Sequence, residues 1–103
     1  MNTALNTFNQ DFEQLITNCE TLIEVATSKG FDKHESMVLL LAAQHLDMIA
    51  NNAASMFEMD LELDCDDKVA KTRLKQATGC IIAVTRVIDR MQANILLADI
   101  NLN

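Results

Sequence analysis

Residues 70–98 read AKTRLKQATGCIIAVTRVIDRMQANILLA. Within them Ala70, Leu74, Ala77, Ile81, Val84, Ile88, Met91, Ile95 and Ala98 recur at alternating steps of four and three for four heptads. A strand repeats every two residues, so this spacing is the pattern of a long helix with one seam turned toward partner helices. The helix is predicted over about 67–98, roughly 45 Å at 1.5 Å per residue, with Asp66 or Asp67 as its N-cap. Gly79 falls on the outward side. It costs about 1 kcal/mol relative to alanine and is the one place where the helix could break into two.

Working outward, the same spacing returns twice. Leu5, Phe8, Phe12, Leu15, Cys19, Leu22 and Ala26 mark a first helix over about 3–28, with Ile16, Ile23 and Val25 widening its stripe. Gly30 is expected to close it as a left-handed C-cap. Asp32 and Glu35 have the spacing of a capping box, in which each side chain accepts from the other residue's backbone N–H. They should start a second helix over about 33–58, with Leu39, Ala42, Leu46, Ile49, Ala53 and Met56 as its seam. The expected fold is therefore all-α: a single domain, 1–103, forming an antiparallel bundle of three long helices, or four if the third breaks near Gly79. Composition agrees. There is no proline and there are two glycines, too few turn formers for an all-β chain, and with four Phe and no Trp or Tyr the core must be aliphatic. The final alternation, residues 100–103, is expected to fray.

One segment departs from the helical repeat. From Phe57 to Asp67 acids alternate with apolar residues, placing Glu58, Asp60, Glu62, Asp64, Asp66 and Asp67 within ten positions. It reads as a connection or helical continuation pinned by Phe57 and Leu61, as a short strand with Phe57, Met59, Leu61, Leu63 and Cys65 on one face, or as an electrostatic lure resembling a row of phosphates. A calcium loop is excluded. The position sixth from Asp60 is not glycine and the twelfth is Lys71, where an EF-hand needs glutamate.

The net charge of −7 is unevenly spread. Residues 1–67 hold 13 acids against two bases, and residues 68–103 hold six bases against two acids. The first partner of the acidic segment is expected to be the basic start of helix three, in its own chain or a neighbour's. Lys68, Lys71, Arg73 and Lys75 alone, with no interleaved aromatic, are a weak footprint for nucleic acid, and direct nucleic-acid binding is not expected.

Catalytic and metal signatures are missing from the sequence. Neither His34 nor His45 belongs to an HExxH or ExxH spacing, and the two glycines lie 49 positions apart, so no phosphate loop forms. His45 is expected to be half-buried packing. Cys19 and Cys80 fall on or beside apolar seams, and Cys65 sits between two aspartates, a poor setting for a nucleophile. Three widely spaced cysteines fit free thiols in a reducing compartment. The N-terminus does not read as a signal peptide, and the longest apolar run, residues 37–43, is too short to cross a membrane. A cytoplasmic protein without cofactor or metal is the expectation.

Apolar residues remain after the seams are filled: Met37, Leu40, Leu41 and Met48 on helix two, and Ile82, Leu96 and Leu97 on helix three. They predict a symmetric homodimer or a protein partner. The functional expectation is a non-enzymatic protein–protein interaction module, a small acidic helical adaptor, chaperone or inhibitor of the kind encoded by short bacterial or phage genes. Its surfaces would be the acidic segment and a methionine-rich patch, Met37, Met48, Met56 and Met59. The alternative is an acidic decoy that mimics nucleic acid and blocks a nucleic-acid-binding protein.

Overall fold

In the computed structural model the chain forms three helices, α1 (Thr3–Ser28), α2 (Lys33–Leu63) and α3 (Lys68–Asn101). The described residues are 3–28 and 30–101, with side chains described for 10–28 and 30–100. None of the described residues is in a strand. The predicted seam residues Leu5 and Phe8, and the tail residues Leu102 and Asn103, lie outside that description. Ile100 and Asn101 continue α3.

Cross-helix contacts fix the directions. Lys33, at the start of α2, pairs with Asp99, near the end of α3, so α2 and α3 run antiparallel. Phe12 meets Phe57 edge to face, with ring centroids 5.0 Å apart and planes at 82°. The Arg73 guanidinium stands 5.8 Å above the same Phe12 ring, and Arg90 donates to the Ala26 carbonyl. Thus α1 runs alongside α3 and opposite to α2. The molecule measures 58 × 23 × 18 Å, with a radius of gyration of 16.5 Å. A compact globule of this length would have about 13 Å, so the bundle is a rod.

The core follows the heptads, with one rotation. On α1 the buried side chains are Phe12, Leu15, Cys19, Leu22 and Ala26, the predicted stripe. On α3 Ala70, Ala77, Val84 and Met91 are buried, while Leu74, Ile81, Ile88 and Ile95 are half-buried. Cys80 and Val87, on the side toward α1, complete the α3 seam. On α2 the buried residues are Ser36, Ala43, Leu46, Ala50, Ala53, Ala54 and Phe57. The predicted α2 seam is therefore turned by about 70°. Ala42 and Met56 are exposed, and a row of small residues takes their place. The reason is that α2 is the helix most extensively packed on α3. Ser36, Ala43 and Ala50 let the two backbones approach, and in antiparallel register Ala43 stands level with Met91 and Phe57 with Ala77, large opposite small. The approach has one cost: the Ser36 hydroxyl is fully buried with no hydrogen-bond partner among the described residues, a loss of about 1–3 kcal/mol.

The helix ends show which local signals hold. The capping box at Asp32 is formed, with Glu35 N–H donating to Asp32 Oδ1 at 2.8 Å and Asp32 N–H to Glu35 Oε1 at 3.2 Å. Asp67 is the N-cap of α3, accepting from the Ala70 N–H at 3.0 Å. Gly30 is not a left-handed cap, since no glycine has a positive φ. The end of α1 is satisfied from a distance instead: the Arg90 guanidinium takes the Ala26 carbonyl, and Thr27 and Ser28 hydroxyls fold back onto carbonyls of the last turn. Helix α2 runs to Leu63, five residues beyond the predicted end, and α3 passes Gly79 without a break.

Two substitutions test this packing from opposite sides. Phe12→Ala removes a ring that touches both α2 and α3, and should cost about 3–5 kcal/mol in chemical denaturation. Gly79→Ala should raise stability by about 1 kcal/mol, because a Cβ there meets nothing within 4 Å and the helix gains propensity.

Candidate interaction surface

α1 covers only one side of the α2–α3 pair. The other side is open along the length of the rod. At 100° per residue, Met37, Leu40, Leu41 and Met48 of α2 and Ile82 and Leu96 of α3 all point to it. Met37, Leu41, Met48, Ile82 and Leu96 are between 47% and 67% exposed. Leu40 differs: it is half-buried and packs on the core. Leu97 is exposed but lies about a quarter-turn farther round α3. The expected methionine patch divides as well. Met37 and Met48 share the open face, Met59 lies at the same angle as Leu41 five turns farther along α2, and Met56 turns toward the α1 side, all four being well exposed.

Near the α2–α3 turn the open face deepens into a groove of about 530 Å³, lined by Leu61, Leu74, Thr78, Gly79 and Ile82, with Lys71 and Lys75 on its rim. Leu61 is half-buried there, while Leu63 is 88% exposed. The acid–apolar alternation of 57–63 is thus a helix, and only every second apolar residue turns inward, Phe57 into the core and Leu61 half-buried.

Helical geometry also divides the six carboxylates. Glu58 and Glu62, four apart, lie on the open-face side of α2, and Asp60 points roughly the opposite way. Asp64 caps the end of α2 and accepts from the Asp66 N–H at 3.0 Å. Asp67 caps α3. No single row of charge results. The basic start of α3 is divided in the same way. Lys68, Lys71 and Lys75 are on its outer side, while Arg73 turns inward over Phe12.

The groups considered for chemistry are separated. His34 and His45 are both exposed; His45, expected to be half-buried, points outward because the α2 core is rotated away from it. Among the described residues no group of three or more His, Cys, Asp or Glu side chains could hold a metal ion. No helix of the described residues is long and apolar enough to cross a membrane. Cys19 of α1 and Cys80 of α3 are buried neighbours, and all three cysteines are free. Burial pushes the Cys19 thiol up to about 12, helped by the neighbouring Cys80, and burial raises Cys80 too. No known family model, curated protein or solved structure matches the chain.

The thiol pair predicts a pH dependence. Both folded thiols hold their protons more tightly than in the unfolded chain, whose ordinary value is 9.0. The stability they confer is complete below pH 9 and is lost as the pH rises toward 12. Denaturation between pH 8 and 11 should show a falling stability in the parent chain and a flatter profile in Cys19→Ala with Cys80→Ala; lysine titration is common to both chains and cancels.

Proposed function

We propose that this chain is a non-enzymatic protein–protein interaction module, a small acidic helical adaptor, chaperone or inhibitor that works as a homodimer in the cytoplasm. The observation that carries the reading is the open side of the α2–α3 pair. Five large apolar side chains stand about half exposed or more along one face, and an apolar patch rimmed by polar residues is the kind of surface that marks an interaction site. The helix-in-groove mode, in which an apolar helical face docks against another, is the recognition physics such a surface supports. Methionine at two of the positions suits it to partners of different shape.

Surface substitutions separate this reading from the acidic decoy. Leu41 is the better probe of the face, because Leu40 also packs on the core. Capture of a partner from an extract of the native host should fall at least about tenfold for Leu41→Asp, a loss of 1.4 kcal/mol or more. The Asp60→Asn, Asp66→Asn pair, which leaves the open face and both caps intact, should bind as the parent does. The decoy reading requires the reverse: insensitivity to Leu41→Asp, and a steep loss with salt and with the two aspartates.

A further inference from the structure

We infer that the open α2–α3 face is covered by a second copy of this chain, related by a two-fold axis parallel to the rod, so that α2 of one copy lies on α3 of the other with like ends together. The inference rests on the homodimer reading above and adds its geometry.

The first argument is the distribution of charge along the face. Lys33 beside Asp99 and the short turn after Leu63 set the register: residues of α2 and α3 whose numbers sum to about 132 stand at the same height. Glu58 and Glu62 are therefore level with Lys75 and Lys71. All four are exposed, and among the described residues the chain itself pairs none of these acids with either lysine. A two-fold axis along the rod carries α2 of one copy across to α3 of the other without changing height. Glu58 and Glu62 then face Lys75 and Lys71 of the second copy, twice by symmetry.

The apolar residues obey the same operation. Met37 is level with Leu96, and Met48 is within a turn of Ile82, so these four meet across the axis, while Leu41 stands level with Gln92 and within a turn of Asp89. A two-fold axis across the rod lays α2 on α2 and α3 on α3 head to tail, which brings Glu58 within a turn of Met37 and Lys71 within a turn of Leu96, apolar residues of the same face. Desolvating charges without partners is costly, so the charge pattern selects the parallel arrangement. The size is also sufficient. A face two helices wide along most of the 58 Å axis measures on the order of 800 Å² per copy, the extent a specific interface needs. The apolar stripe supplies the affinity, and the rim charges set the register.

The native cysteines provide the test. Cys65, in the α2–α3 turn, is exposed, and Cys19 and Cys80 are buried, so a nitroxide reagent under native conditions labels Cys65. Light scattering should give twice the 11.5 kDa chain mass. Pulsed electron spin resonance should place the two labels within about 30 Å, at one end of the rod, rather than about 45 Å or more apart. Glu58→Lys with Glu62→Lys should weaken the dimer at least about tenfold, as should Lys71→Glu with Lys75→Glu. Mixing these two variant chains should restore a mixed dimer, which also shows that each had folded. A dimer with widely separated labels, or one indifferent to the charge reversals, overturns the parallel geometry and leaves the homodimer. A monomeric mass overturns both.

Discussion

The close contact of α2 with α3 is the constraint on which the rest of the molecule depends. Ser36, Ala43 and Ala50 recur every seventh residue on α2, and Ala70, Ala77, Val84 and Met91 do so on α3. Small side chains opposite larger ones bring two long helices together over most of their length. The pair is then a stiff two-helix plank with two sides. α1, with a single stripe from Phe12 to Ala26, can cover only one of them. The exposed face is thus a consequence of having three helices and not four, and its chemistry is what the chain has left to interact with.

Phe12 holds α1 in place by touching both helices of the pair. It meets Phe57 edge to face and carries Arg73 over its ring. Arg90 does a similar task at the other end by donating to the Ala26 carbonyl in the last turn of α1. Two of the six bases of α3 are therefore spent on fixing α1. The remaining outward lysines lie on the side where α1 is absent. The division of labour among the bases follows from the helical period alone, since Arg73 and Lys75 are two residues and some 200° apart.

Much of this was legible in the sequence. The seams of α1 and α3, the capping box at Asp32 and Glu35, and the cap at Asp67 are local patterns with a local cause, and the structure forms each of them. The α2 seam was misread because leucine, isoleucine and methionine dominate any count of apolar residues. The true contact line runs through alanines and a serine, which mark it by being small, and which tertiary packing selects. A regular seven-residue spacing of small residues at 36, 43 and 50 was the available signal. Gly30 was misread for a related reason. A glycine beyond a helix favours a left-handed cap only if nothing else satisfies the end, and Arg90, more than sixty residues away, does so. The acid–apolar alternation of 57–63 is no strand because a strand needs a partner edge, while a helix satisfies its own backbone. Of the candidate surface residues, six share the open face and Leu97 does not, a distinction that depends on knowing where α1 lies.

The acidic segment gains meaning from that arrangement. Continued as a helix, it cannot present six carboxylates in a row. It sends Asp60 to one side, commits Asp64 and Asp67 to the turn between α2 and α3, and leaves Glu58 and Glu62 on the open face. Those two are level with the outward lysines of α3 but separated from them, in the same chain, by the groove over Leu61 and Leu74. Opposite charges therefore stand at one height on the two edges of one apolar face. The sequence asymmetry, acidic before residue 68 and basic after it, thus becomes a lateral pattern once the chain folds back on itself.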